Sequence, residues 1–164
     1  MKLLLLLVSV IGVVYSYDFD LVLPGLIEKT LAEGPKHVDI LNERERKLYL
    51  AILRPKVKGD RLKKAFANKK IKGMFFEAMR VVLKEHGVSP LAADFLGTVY
   101  EVSKSAKAKE DPQYFVPFVV GSFMLLEDSE KELVAKGDPE LIKKLQEVAN
   151  KDEQVTELLT TLVA

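Results

Sequence analysis

There is no cysteine in this chain, no tryptophan and only two histidines, His37 and His86. The missing thiols exclude the disulfide-stapled small folds of the extracellular space, so the chain must hold together by packing alone. They also exclude thiol catalysis. Neither histidine has a partner at His-x-x-x-His or Glu-x-x-His spacing, so no metal site is read from the pattern. His86 precedes Gly87 near an expected helix end, where an imidazolium suits the helix dipole. His37 lies beside Pro35 in an expected loop. The serines at 89, 103, 105, 122 and 129 lack a Gly-x-Ser-x-Gly elbow, and no glycine-rich loop could cradle a phosphate. With no positioned acid, base, nucleophile or metal, the expectation is a protein that is not an enzyme and takes no cofactor. Asn42, Asn68 and Asn150 all lack the hydroxyl two residues on, so there is no N-glycosylation sequon.

A charge of one sign is missing too. The chain opens MKLLLLLVSVIGVVYS, in which Lys2 is the one charge. An apolar run from Leu3 to Val14 follows, and Val14 and Ser16 suit the small-residue positions of a signal-peptidase site. Residues 1–16 are therefore expected to be a cleaved secretory signal, with 17–164 the mature, extracellular domain. The run is short for a membrane span of roughly 18 residues or more. Without Lys2, 24 of the 25 bases remain against 24 acids. That balance argues against a nucleic-acid binder, which carries a basic excess.

What the sequence does have is helix signals. No stretch alternates apolar and polar residues over six positions between turn residues. Ser89-Pro90, Asp111-Pro112 and Asp138-Pro139 each put a capping oxygen before a proline, which loses no hydrogen bond at the first helical position. Asn42 with Glu45 reads as a capping-box variant, and Asp128 and Asp152 as further caps. The expected helices are 21–32, 43–53, 60–68, 70–86, 90–108, 112–126, 129–136, 139–149 and 153–162, with Gly59, Gly87 and Gly137 at junctions. Leu91, Phe95, Val99, Val102 and Ala106 form one apolar stripe, and Ile71, Met74, Phe75, Ala78 and Val82 another. The fold class is all-α, a single compact domain of about eight or nine short helices.

Residues 113–126 read QYFVPFVVGSFMLL, without a charge, in a chain that is 30% charged. As a helix this stretch spans about 21 Å, short of a hydrocarbon thickness near 30 Å. Two readings remain: a solid core helix, or the wall of an apolar cavity. Pro117 inside the stretch and Gly121 one turn on work against tight filling. Phenylalanine and methionine concentrate here and nearby, as suits a surface that repacks around guests. A second cluster is basic: Arg54, Lys56, Lys58, Arg61, Lys63, Lys64, Lys69, Lys70 and Lys72, with Asp60 the only acid between them. It reads as a solvated face, or as attraction for anionic membrane headgroups or an incoming carboxylate.

Two stretches carry a family resemblance. Val88-Ser89-Pro90-Leu91-Ala92-Ala93-Asp94-Phe95 and LEDSEKELVAKGDPEL, Leu126 to Leu141, resemble segments of the nematode fatty-acid- and retinol-binding proteins. Leu41-Asn42-Glu43-Arg44-Glu45 falls where that family has a Leu-Ser/Thr-Pro-Glu start. The chain departs from the family in Asn42, which puts a phosphorylation site in doubt, and in Gly137-Asp138, where Gln-Phe is usual. The resemblance spans the whole mature chain but rests on helix caps and small residues. It implies a helical shell around an internal cavity for long-chain fatty acids and retinol, and so favours the cavity-wall reading of 113–126. The apolar faces then nominate Phe75, Phe76, Met79, Leu83, Phe95, Val99, Phe115, Phe118, Val119, Phe123 and Met124 as the lining. Arg80 and one of Lys69, Lys70 or Lys72 are candidates for the carboxylate, and Tyr100 and Tyr114 for retinol's hydroxyl. The alternative is a secreted interaction protein with a solid core, acting through its basic 54–72 face.

Overall fold

The computed structural model describes residues 2–52, 67–105 and 107–151. Every regular element among them is helical: α1 (Lys2–Ser16), α2 (Phe19–Val22), α3 (Leu26–Glu33), a 3-10 helix (Gly34–Ile40), α4 (Glu43–Ile52), α5 (Lys69–Glu85), α6 (Pro90–Lys104), α7 (Pro112–Met124), α8 (Asp128–Ala135) and α9 (Pro139–Lys151). The expected helices at 60–68, but for its last two residues, and at 153–162 lie outside the described residues, as does Asp152.

The caps explain most of the boundaries. Ser89 Oγ accepts from the Ala92 N–H at 3.2 Å and starts α6, and the Asp138 carboxylate accepts from Glu140 N–H at 3.0 Å at the start of α9. Asn42 and Glu45 form the reciprocal pair, with Glu45 N–H donating to Asn42 Oδ1 at 2.8 Å and Asn42 N–H to the Glu45 carboxylate at 3.0 Å. Asp111 departs from the expectation: proline follows it and the helix starts, but its side chain makes no capping bond. Nor is Asp128 the cap of α8; Glu127 is, its N–H held by the Glu130 carboxylate at 2.9 Å.

Two other boundaries differ. The helix expected over 21–32 is two, broken at Pro24-Gly25, where Gly25 takes a left-handed φ of 70° that only glycine adopts without strain. The helix expected to reach 108 stops at Lys104, because Ser105 is extended. α7 runs unbroken through Pro117. At the end of α5, His86 is the cap residue and its Nδ1 lies 2.8 Å from the Val82 carbonyl, the terminal role expected of it.

Packing sets the site. α5 lies against α3 and α6, and α6 against α7. α7 is therefore enclosed by α6 on one side and α9 on another. α1 is laid across α6, α7 and α9 and buries Leu7, Val10, Ile11, Val13 and Val14 there. Buried aliphatic side chains contribute about 1.5–3 kcal/mol each, so this helix is held firmly. No described helix is long and apolar enough to cross a membrane.

Candidate functional site

The aromatic positions of α5, α6 and α7 meet in one apolar interior. Phe75 stacks on Tyr100, ring centroids 5.1 Å apart and planes 22° apart. Phe76 stands edge-on to both, at 6.1 Å from Phe75 and 6.3 Å from Tyr100. Phe19 of α2 closes a further side of Tyr100 at 5.4 Å. Phe95 of α6 meets Phe123 of α7 at 5.8 Å. Met79, Leu83, Val99 and Val119 are buried in the same cluster, with Phe76, Phe115 and Met124 half-buried against it. Of the lining residues expected from sequence, all but one thus belong to one continuous interior.

Phe118 is the exception. It is 49% exposed, and Tyr114 one turn earlier is 61% exposed. The two rings pack edge-on at 5.6 Å on the outer side of α7. Contrary to expectation, neither lines the interior. Arg80 is also outside: its guanidinium bonds the Asp94 carboxylate at 3.0 Å and lies 3.8 Å from Glu77. The three lysines proposed for a carboxylate stand at the start of α5. Lys72 is paired with Glu101 at 2.5 Å and Lys70 lies 3.9 Å from Glu45. Lys69 and Lys70 line an open surface groove of about 530 Å³ with Lys36, His37, Ile40 and Met74. The basic residues 54–64 lie outside the described residues.

Polar groups in and around the interior are few, and Lys104 and Lys109 stand exposed at its edge. Burial pushes the Tyr100 phenol up to about 12. Lys104, one turn on, places its ammonium 5.2 Å from the Tyr100 ring centroid, and burial lowers its pKa. Tyr15, at the end of α1, donates its hydroxyl to the Ser105 carbonyl, and Lys109 lies 4.5 Å from the centre of its ring. Among the described residues no group of three His, Asp or Glu is placed to hold a metal.

Sequence reasoning missed three contributors. Asn68 caps α5 by accepting from Lys70 and Ile71 N–H groups at 3.0 and 3.2 Å; an Asn before a Lys-rich run was the available signal. Tyr17 sends its hydroxyl to the Val134 carbonyl at 2.5 Å and so pins the chain after α1. Thr30, wholly buried on α3, satisfies its hydroxyl on the Leu26 carbonyl at 2.8 Å.

Comparisons with family models, curated proteins and solved structures find no match to this chain.

Proposed function

We propose that the chain is a secreted carrier of long-chain fatty acids and retinol, held in a cavity within the apolar interior of α5, α6 and α7 once residues 1–16 are removed as a signal. The observation that carries the reading is α7. Its thirteen residues hold no charge, and its Val116, Val119, Val120 and Phe123 are buried in a cluster rich in aromatic rings and methionine. Flat rings and flexible thioethers make walls that adjust to a guest of variable shape.

The energetics are adequate. A sixteen-carbon tail carries about fourteen methylenes, worth on the order of 11 kcal/mol gross at about 0.8 each. Ordering and association remove several of these, which leaves about −8 kcal/mol, or micromolar binding. The binding energy comes from the tail, so the outward positions of Arg80 and Tyr114 do not weaken the reading, and Phe118 drops out of the lining. Anionic membrane surfaces, met through the basic 54–72 stretch, would be where such a carrier loads or delivers.

The test is fluorescence of a dansyl-labelled fatty acid, or of retinol, mixed with the purified protein lacking residues 1–16. A blue-shifted, enhanced signal displaced by oleate is the expected outcome. Absence of both the shift and the displacement in a helical, folded sample would refute it.

A further inference from the structure

The carrier reading leaves α1 to be explained. A helix at a protein surface keeps a polar face toward water. α1 has little of one: Leu3, Leu4, Leu5 and Val8 are exposed beside Lys2 and Ser16, while Leu7, Val10, Ile11, Val13 and Val14 are buried. Lys2 is its only charged residue. The trough it fills is built by α6, α7 and α9 together, and one of those walls is the uncharged α7. The body, moreover, is fastened independently of α1. From Tyr17 onward the chain is tied down by the Tyr17 hydroxyl on Val134 and by Asp18 N–H on the Gly137 carbonyl at 3.2 Å. The Asp18 carboxylate also caps α2 through Asp20 N–H at 3.0 Å. None of these bonds involves α1, although Tyr17 N–H also donates to the Val14 carbonyl of α1 at 3.3 Å. Its contacts with polar groups concentrate at its C-terminal end, where Tyr15 meets the Ser105 carbonyl and Lys109.

We propose that α1 occupies the acyl-chain site of the carrier: loss of residues 1–16 opens a trough across α6, α7 and α9, which a long-chain fatty acid fills with its carboxylate toward Lys109. The inference rests on the carrier reading but moves the tail from the α5–α7 interior to the seam of α6, α7 and α9 beneath α1, and adds a head-group partner. Fifteen helical residues extend about 22 Å, the scale of a long acyl tail, and a helix with side chains is about 10 Å across, which leaves room for a bent chain or for retinol's ring. A hydroxyl such as retinol's can take over the bond that Tyr15 makes to the Ser105 carbonyl. A carboxylate cannot use that acceptor, and it is the Lys109 ammonium that suits it. The unprocessed chain is accordingly closed to lipid by its own leader.

The test uses the full chain with a protease recognition sequence inserted between Ser16 and Tyr17, and a dansyl-labelled fatty acid as probe. Before cleavage, probe enhancement should be weak. After cleavage, affinity should rise by about tenfold or more, and oleate should drive the 1–16 fragment off the body in size-exclusion chromatography. Equal affinity before and after cleavage, or full probe occupancy with the fragment retained, overturns this inference and leaves the carrier reading standing. No binding in either state, with the helical far-UV signal intact, overturns both. Loss of that signal on cleavage makes α1 part of the fold and overturns the inference as well. In the cleaved protein, Lys109→Glu should weaken oleate by about tenfold and leave retinol unchanged; an equal effect on both ligands, or on neither, refutes the head-group assignment.

Discussion

Replacing Gly137 with alanine should destabilise the protein, and only while Tyr17 is present. A Cβ at Gly137 would stand 2.3 Å from Tyr17 Cζ and 2.6 and 2.7 Å from the two Cε atoms. No real pair of carbons sits so close, so the ring has to move. It is poorly free to do so. The ring is buried, packs edge-on to Phe19 at 4.8 Å, and is held at its tip by the bond to Val134. Overpacking of this kind costs about 1–3 kcal/mol, and loss of the hydroxyl bond adds about 1 kcal/mol. The Val134 carbonyl keeps the Gly137 N–H at 3.3 Å, so no further penalty arises from an orphaned acceptor. The expected total is about 2–4 kcal/mol. Gly137 does not have a positive φ, so alanine brings no backbone strain of its own. In a Tyr17→Ala background the same change should be neutral, or stabilising by about 0.4–1 kcal/mol through the unfolded chain. Tyr17→Ala alone should cost about 3–5 kcal/mol, within the usual 5–15 kcal/mol of a domain. Urea titrations followed by far-UV circular dichroism on the four chains give the coupling. Equal cost of Gly137→Ala in both backgrounds would refute the reasoning, since the clash is then not with this ring.

Three further outcomes are expected. The Tyr49 hydroxyl is buried without a hydrogen-bond partner among the described residues, so Tyr49→Phe should raise stability by about 1 kcal/mol in the same urea assay; a loss of that size would show that the phenol is satisfied after all. Ser89→Ala removes the cap of α6 and the hydroxyl's bond to Glu130, and should lower stability by about 1–2 kcal/mol, with Ser89→Thr recovering most of it. At alkaline pH the buried phenols govern. Burial pushes Tyr49 and Tyr100 up to about 12 and raises Tyr17 further, with Asp138 adding to the effect. Their unfolded values are near 10, so the folded state holds protons that the unfolded state has released. This contribution is complete below pH about 10 and is lost as pH rises toward about 12. Lys104, lowered by burial, works in the opposite sense, but only below its unfolded value of about 10.4. The urea midpoint should therefore fall between pH about 10 and 12 together with late-titrating phenolate absorbance; all five tyrosines titrating near 10 in an intact fold would contradict it.

The all-helical class was legible because its signals are local. Ser89-Pro90, Asp138-Pro139 and the Asn42-Glu45 pair act within one turn, and each start lies where the caps put it. Asp111 shows the limit of such reading. Proline alone fixes a helix start by removing a donor, so the side chain before it is left free to point elsewhere. The Pro24-Gly25 break was as local, and was overlooked because Leu21, Leu23, Leu26 and Ile27 continue the apolar pattern on both sides of it. Side-chain direction on α7 was a different matter. Where every position is apolar, periodicity carries no information about which side faces in. The outward turn of Tyr114 and Phe118 is set by where α6 and α9 happen to lie, which no spacing within the segment encodes. Arg80 was nominated for a carboxylate, but its ion pair with Asp94 joins two helices and had no local signature.

α1 is where the sequence and the structure pull in different directions, and both follow from the same chemistry. A leader must be apolar to be recognised and passed through a membrane. An apolar helix of fifteen residues will also seek any apolar trough within reach, at the cost of exposing Leu3, Leu4, Leu5 and Val8 on its far side. If residues 1–16 are removed as proposed, the body is left with an apolar surface across α6, α7 and α9. Water does not suit it, since exposing the walls of α6, α7 and α9 leaves a large apolar patch of the kind that folded monomers avoid. Either the body closes on itself when residues 1–16 depart, or a guest of similar apolar character takes their place. The two outcomes differ in one measurable way. Collapse leaves Phe123, Val119 and Val99 inaccessible to an added acyl chain, whereas replacement brings them into contact with it, which nuclear Overhauser contacts between labelled oleate and their side chains would register directly.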